Sequence, residues 1–177
     1  MATTSSNKMP LLVDRPMHSY VTIGSTAALN TSTKFNDINS AGCSLIVDCA
    51  SNDGAIIDSI SIIANEANTT ASTVLVFLSV AASQSAITAI NTVCVANAVI
   101  GNTAAGERTN IPLAPLSIPV PNLASPAATM ATYPSETDKK NTGLYVPSGA
   151  SIYVGLNAAI TSPSGAEVHV FTQGGFF

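Results

Sequence analysis

The stretch SNDGAIIDSISII, residues 51–63, decides the fold, because it joins an Asp-Gly pair to a run of isoleucines interrupted by serines. Ile60 and Ile62 alternate with serines, and a period of two is typical of a strand with one buried face. This alternation puts both isoleucines on one face together with Asp58. The Asp53-Gly54 pair favours a tight hairpin turn, because such turns need a residue with positive φ. The stretch therefore predicts a turn followed by a half-buried strand.

Similar strand patterns recur on both sides of this stretch, and turn residues separate them. The run at residues 73–80 does not alternate, which predicts a central strand covered on both faces. Residues 83–91 predict a loop or a short helix. The remaining predicted strands lie at residues 19–23, 44–48, 92–95, 143–147, 151–156 and 167–171. About eight short strands in 177 residues predict an all-β protein, either a β-sandwich or a jelly roll.

The chain is predicted to hold an extended N-terminal arm at residues 1–17 and a single β-sandwich domain at residues 18–177. Prolines interrupt regular structure in the arm, and apolar residues between them need a surface to cover them, on the domain or on a neighbour. Residues 111–142 are rich in proline and then in polar residues, which predicts an exposed loop region. We expect the arm, the prolines and the aromatic pair at the end to contact partners through Leu11, Leu12, Val13, Pro119, Pro121, Phe176 and Phe177.

The most unusual feature of the composition is its scarcity of charge. Charged residues make up 9% of the chain, whereas about 25% is ordinary for soluble proteins. Serine, threonine and asparagine take their place, and neutral polar groups lose less free energy than ions when they are desolvated. Because the centres of protein interfaces are depleted in charge, this composition favours a protein whose exterior meets other protein. A secreted or fibrous domain without a partner is the alternative.

Charge and hydropathy also bear on nucleic acids and membranes. Lysine and arginine total six and the net charge is −4, whereas nucleic-acid binding needs a basic patch. The one basic pair, Lys139-Lys140, lies beside Glu136 and Asp138. The uncharged stretch at residues 67–106 has an apolar run of only nine residues, from Val74 to Ala82, and a spanning helix needs about 20. Residues 1–8 lack an apolar signal core. We predict no nucleic acid, no membrane and no secretion by a signal peptide.

Residues able to carry chemistry are few and scattered. His18 and His169 lie far apart, and neither has a ligand or an orienting partner at close spacing. Asp48, Asp53 and Asp58 come five apart, which is not the spacing of a calcium-binding loop. An odd number of cysteines argues against a disulfide framework. We predict no catalytic, cofactor-binding or metal-binding residues, no enzymatic activity, and buried free thiols at Cys43, Cys49 and Cys94.

Two tyrosines of the C-terminal half leave one binding hypothesis open. Tyr145 and Tyr153 beside Asn157 could form a small face that binds sugar. Aromatic residues in strands are more often packing residues, and packing is the interpretation we favour.

The end of the chain resembles the endings of small virion proteins of tailed phages. The resemblance lies in the last 35 residues, about a fifth of the chain, and its similar elements are LYVPSGASIYVGL at residues 144–156 and SGAEVHVFTQGGFF at residues 164–177. The resemblance is to head-decoration (cement) proteins and to other head- or tail-associated components. It implies a β-rich homotrimer, assembled in the host cytoplasm, that binds the major capsid protein on the capsid surface of the virion. A tail, collar or fibre component and a carbohydrate-binding module that recognises a host surface remain alternatives.

Overall fold

A computed structural model describes residues 14–23, 28–29, 38–65, 72–100, 104–111, 113, 143–160 and 168–177. This described part holds nine strands and two single-turn 3-10 helices, at Ser40–Gly42 and Gln84–Ala86. The strands are β1 (Arg15–Ile23), β2 (Ser44–Asp48), β3 (Gly54–Ala64), β4 (Ser72–Ser79), β5 (Thr92–Ile100), β6 (Arg108–Ile111), β7 (Leu144–Pro147), β8 (Ser151–Leu156) and β9 (Val168–Phe176). The prediction of an all-β sandwich is confirmed.

The strands form two antiparallel sheets with jelly-roll connectivity. The five-stranded sheet has the order β1-β9-β3-β6, with β7 paired to β3 on the same edge as β6, and the four-stranded sheet has the order β2-β8-β4-β5. Apart from the short β7, the strands pair as one long hairpin wound around itself: β1 with β9, β2 with β8, β3 with β6, and β4 with β5. Two facing sheets of four strands wound in this manner are the architecture of a jelly roll.

The Asp53-Gly54 pair does not close a hairpin, so that prediction was wrong. β2 lies in the four-stranded sheet and β3 in the five-stranded one, and residues 49–53 cross between them. Side chains hold this crossing: Ala50 N donates to Asp48 Oδ1 at 2.8 Å, and Asn52 Nδ2 donates to the Asp48 carbonyl at 3.2 Å. Gly54 does have a positive φ of 132°, and a Cβ there would lie 2.7 Å from the Val146 carbonyl oxygen. Gly54 therefore allows β3 and β7 to lie close together.

A β-bulge in β3 changes which residues face the interior. The pairing with β9 shifts between Ile57 and Ser59, so that Asp58 has no partner of its own. Ile57 is buried before the bulge, and Ile60 and Ile62 are buried after it, whereas Asp58 is exposed. The prediction that Asp58 shares the isoleucine face was wrong, because one extra residue reverses a period of two.

The interior between the sheets is apolar, and a second apolar cluster covers the outer face of the four-stranded sheet. β4 contributes to both, with Val74 and Val76 in the interior and Leu75 and Phe77 in the outer cluster. This confirms the predicted central strand with two covered faces. Gln84–Ala86 and then β5 confirm the loop or short helix followed by a strand. The outer cluster is completed by Ala28, Leu29, Cys43, Ile87, Cys94 and Tyr153.

Two predicted boundaries shift in the structure. β1 begins at Arg15, so residues 15–17 of the predicted arm belong to the sheet. Pro16 is tolerated there because β1 is an edge strand, where a missing N–H costs no ladder bond. Ile111 and Leu113, which begin the region predicted to be exposed, are buried in the core. The predicted contact residues Leu11, Leu12, Val13, Pro119 and Pro121 lie outside the described residues.

Candidate functional site

One end of the sandwich, here called the contact end, gathers several segments that are distant in sequence. β1 begins there and β9 ends there, and the crossing at 49–53 and the turn at 148–150 join the two sheets. The crossing and the turn are bonded together, because Cys49 N donates to the Ala150 carbonyl and Gly149 N donates to the Cys49 carbonyl, each at 3.0 Å. The contact end is therefore a connected surface.

The predicted contact residues Phe176 and Phe177 lie at the contact end, and both are half-buried. The backbone N–H of Asp14 donates to the Phe176 carbonyl at 2.8 Å. The Phe177 ring lies 5.9 Å from the ring of Tyr145, and its N–H donates to the Gly54 carbonyl at 3.1 Å. Each of the two phenylalanine side chains thus packs partly against the domain itself, and the rest of its surface is exposed to solvent.

A groove of about 450 Å³ opens beside this aromatic pair. Its walls are residues 16–19 of β1 and 45–48 of β2, and Phe176 also lines it. β1 and β2 are edge strands of different sheets, so each has one side without a sheet neighbour among the described strands. Leu45 is exposed in one wall.

A second feature of the contact end is the loop that joins β4 to β5, residues 80–91, here called the apolar loop. Ile90 is 98% exposed and Val80 is 65% exposed, and Val93 is exposed at the start of β5. The whole loop is uncharged. Single exposed apolar residues are common, but apolar side chains gathered at an uncharged loop favour a contact with other protein.

Hydrogen bonds of Asn91 order the apolar loop. Its Oδ1 accepts from Thr88 N at 2.8 Å and from Thr92 Oγ1 at 2.9 Å, while its Nδ2 donates to the Ala86 carbonyl at 2.8 Å. On the far side of the loop, Gln84 Nε2 donates to the Cys43 carbonyl at 2.6 Å. Ile90 is therefore held outward by a loop of defined shape.

The histidines lie on neighbouring strands of the outer face of the five-stranded sheet. His18 stacks on Phe171, with ring centroids 6.1 Å apart. His169 Nδ1 is 3.0 Å from Thr22 Oγ1. Asp48 accepts from Ser151 Oγ at 3.2 Å, besides its bond with Ala50, and so holds the turn. Among the residues described, no group of three or more His, Cys, Asp or Glu side chains is placed to hold a metal ion.

The three cysteines are free and buried, as predicted. Burial raises the pKa of Cys43 to about 12 and that of Cys94 to about 12. Burial, and then the negative charge of Asp48, raise the pKa of Cys49 to about 11. The thiols therefore stay protonated at neutral pH, and a protonated thiol is a weak nucleophile.

The hypothesis of a sugar-binding face at Tyr145 and Tyr153 was wrong in its geometry. Tyr153 is 3% exposed and belongs to the apolar cluster on the four-stranded sheet. Tyr145 lies in the other sheet, against Phe177. Burial raises the pKa of the Tyr153 phenol, and electrostatic interactions with Asp48 and then with Cys43 raise it further. Packing decides the position of Tyr153, because β8 is central in its sheet and its outer face is covered.

Sequence reasoning missed Ile90 and Tyr20, the two most exposed large apolar residues of the described part. Ile90 stands between Ala89 and Asn91 with no neighbouring pattern, so its exposure could not be read from the sequence. Tyr20 did carry a signal, because in the predicted strand at 19–23 it lies on the face opposite the half-buried Val21 and the buried Ile23.

No protein family matches this chain, and neither a curated protein nor a solved structure is significantly similar to it. Among the described residues, no helix is long and apolar enough to span a membrane.

Proposed function

We propose that this chain is a non-enzymatic structural protein of a tailed-phage virion, a decoration protein that binds the outer surface of the head as a homotrimer and stabilises it. The observation that carries the proposal is the contact end, where Ile90 and Val80 project from a hydrogen-bonded loop on the same end as Phe176 and Phe177. The likeness of residues 144–156 and 164–177 to virion proteins supports the same assignment. Jelly rolls also occur in viral capsid domains, which is an analogy of fold alone.

Ile90 and Val80 are exposed in the free domain and would be buried only on contact with a partner. Covering one exposed isoleucine contributes about 1.5–3 kcal/mol. The hydrogen bonds of Asn91 lower the entropy that binding would otherwise cost, because the loop is ordered beforehand. A homotrimer would present three such loops to the shell, and linked contacts strengthen one another without any new interaction. A stable contact of ordinary size, about 1,600 Å², then suffices for attachment to the major capsid protein.

The test uses purified full-length protein and undecorated heads of the phage that encodes it. Light scattering should give the mass of a trimer, sedimentation with heads should show saturable binding, and cryo-EM should place the density on the outer surface of the head. A monomer that does not bind heads would reject the proposal. Density at the tail, collar or a fibre would overturn the assignment to the head.

Two single variants make the test specific for the contact end. Ile90→Ser should bind heads at least tenfold more weakly with an unchanged melting temperature, because Ile90 contributes no burial to the free domain. Tyr20→Ser removes an exposed residue from a sheet face away from the contact end and should bind as the wild type does. Equal binding by all three proteins would exclude the apolar loop as the contact.

A further inference from the structure

The outer face of the five-stranded sheet carries a second surface, here called the platform, which shares only His18 with the lining of the groove at the contact end. It consists of the side chains of His18, Tyr20, Arg108, Asn110, Phe171 and Gln173. Strand register puts Tyr20 opposite Phe171, Phe171 opposite Ser61, and Ser61 opposite Asn110. Four neighbouring strands at about 4.8 Å spacing make this row about 14 Å long.

The aromatic part of the platform lies on β1 and β9. Tyr20 is 73% exposed, and its cross-strand neighbour Phe171 is half-buried. The His18 ring stacks on Phe171 at an interplanar angle of 26°. Cross-strand pairs of this kind hold rings in place on a sheet. The negative face of an aromatic ring attracts weakly positive groups such as the C–H bonds of a sugar ring.

The polar part lies on β6 and β9, and its side chains are oriented from beneath by serines. Arg108 donates to Ser61 Oγ at 2.7 Å, and Ser61 Oγ donates to Asn110 Oδ1 at 2.9 Å. Because the serine oxygen accepts from Arg108, its proton is directed to Asn110, which turns the amide carbonyl inward. Ser59 Oγ likewise donates to Gln173 Oε1 at 3.4 Å.

This arrangement leaves the platform with a surplus of donors. With both amide oxygens engaged, the NH₂ groups of Asn110 and Gln173 face solvent, together with the N–H groups of Arg108 not bonded to Ser61. All three side chains are exposed. A ligand that fits must therefore offer many acceptor oxygens close to a flat face rich in C–H bonds.

We propose that the platform binds a neutral polysaccharide, with sugar rings on Tyr20 and Phe171 and sugar oxygens accepting from Asn110, Gln173 and Arg108. Pyranose rings have both required properties, flat C–H faces and oxygens at their rims. A polyanion fits less well, because the chain has a net charge of −4 and the platform has one arginine. This inference does not depend on the capsid proposal, since a protein attached by its contact end would leave the platform exposed.

The experiment is affinity gel electrophoresis of the full chain in gels containing dextran, laminarin, yeast mannan or alginate. Retardation by at least one of the three neutral polysaccharides, without retardation by alginate, is expected. Tyr20→Ala should lower the affinity at least tenfold. Tyr145→Ala is the matched control, because it removes an exposed tyrosine from the contact end, and it should leave the affinity unchanged.

Asn110→Asp is a second variant that tests the donor directly. The carboxylate still accepts from Ser61 and lies near Arg108, so the sheet is kept, but the outward NH₂ is lost. At least a tenfold loss of affinity is expected. The proposal is overturned if none of the neutral polysaccharides retards the protein, or if retardation survives both Tyr20→Ala and Asn110→Asp. It is equally overturned if Tyr20→Ala instead splits an oligomer, which would assign the platform to a second copy.

Discussion

The guanidinium carbon of Arg15 lies 5.5 Å from the centroid of the Phe176 ring, so the first residue of β1 is held against the last residue of β9. The same guanidinium donates to Asn52 Oδ1 in the crossing at 49–53. One side chain therefore connects three segments of the contact end. Since these segments are far apart in sequence, the contact end exists only in the folded domain.

Replacing Arg15 by methionine should loosen this connection without disturbing the core. Arg15→Met keeps most of the stem but loses the cation–π contact and the bond to Asn52, and exposed cation–π pairs contribute about 0.5–1 kcal/mol. We expect the free energy of unfolding to fall by about 1 kcal/mol, measured by urea denaturation. An unchanged midpoint would mean that the ring contact contributes nothing in solution.

Gly174 should be the least replaceable glycine of β9. A Cβ at this position would lie 2.0 Å from the Ile56 carbonyl oxygen, beside the bulge in β3, so the strands would have to separate. Gly174→Ala should cost about 3 kcal/mol in thermal unfolding. Gly106→Asn is the control: no atom lies within 4 Å of an added Cβ, and asparagine tolerates its φ of 80°. A loss equal to that of the control would contradict the close approach.

Thr73 carries a buried hydroxyl whose oxygen has no hydrogen-bond partner among the described residues. Thr73→Val keeps the shape and removes the unsatisfied group, so we expect the free energy of unfolding to rise by about 1 kcal/mol. The matched control is Thr172→Val, which is equally buried but loses a bond from Oγ1 to the Ser19 carbonyl. That variant should be less stable than the wild type. Equal changes in both variants would refute the assignment of an unsatisfied hydroxyl.

Variants of Asn91 and Ile90 should distinguish the effect of ordering the apolar loop from the effect of its direct contact with a partner. Asn91→Ala removes three hydrogen bonds from the apolar loop and should lower the free energy of unfolding by about 1–2 kcal/mol. It should also weaken binding to heads, because the loop must then be ordered on contact. Ile90→Ser should change binding alone. Unfolding and sedimentation measured on both proteins check this, and a stability loss in Ile90→Ser would count against an exposed role.

The buried thiols predict a loss of stability at alkaline pH. A thiol ionises near pH 9 when exposed, whereas the folded values are about 11 for Cys49 and about 12 for Cys43 and Cys94. Below pH 9 the thiols are protonated in both the folded and the unfolded state, so they add no pH dependence to the free energy of unfolding. Above pH 9 the unfolded chain releases protons that the folded domain retains, so stability falls by at most about 1.4 kcal/mol per pH unit for each thiol, until the pH reaches the folded pKa of that thiol.

Urea denaturation at pH 8, 9, 10 and 10.5 measures this slope. Cys94→Ala should be less stable than the wild type at pH 8 because it leaves a small cavity. Its slope above pH 9 should be shallower, since one of the three buried thiols is gone while Tyr153 still contributes. A slope identical to that of the wild type would show that Cys94 ionises without penalty in the folded domain.

The sequence was sufficient to locate most strands but not to choose their partners. The unbroken run at 73–80 identified β4 and its two buried faces. Alternation at 151–156 located β8, but it indicated one buried face, whereas both faces of β8 are buried. Periodicity does not report which sheet a strand joins, and the crossing after β2 was therefore predicted as a hairpin. The bulge at Asp58 was not predicted for a similar reason, since it arises from the register with a strand more than 100 residues away.

The residues of the candidate sites could likewise be predicted only in part. Phe176 and Phe177 could be singled out because an aromatic pair closes the sequence, but their contacts with Arg15 and Tyr145 depend on the fold. Ile87 and Ile90 are three residues apart and chemically identical, yet Ile87 is 4% exposed and Ile90 is 98% exposed. They differ because Ile87 packs into the apolar cluster on the outer face of the four-stranded sheet, whereas Ile90 does not.

The central position of β9 in its sheet has a consequence for biosynthesis. β9 lies between β1 and β3, so neither of these strands has its main partner until residues 168–176 have left the ribosome. Until then the nascent chain carries unpaired strands and an uncovered apolar layer, which is the condition in which chains aggregate. Pairing over about 150 residues is also slow, because loop closure precedes any gain from contacts. We therefore expect folding to be slow and to be completed only after β9 has emerged.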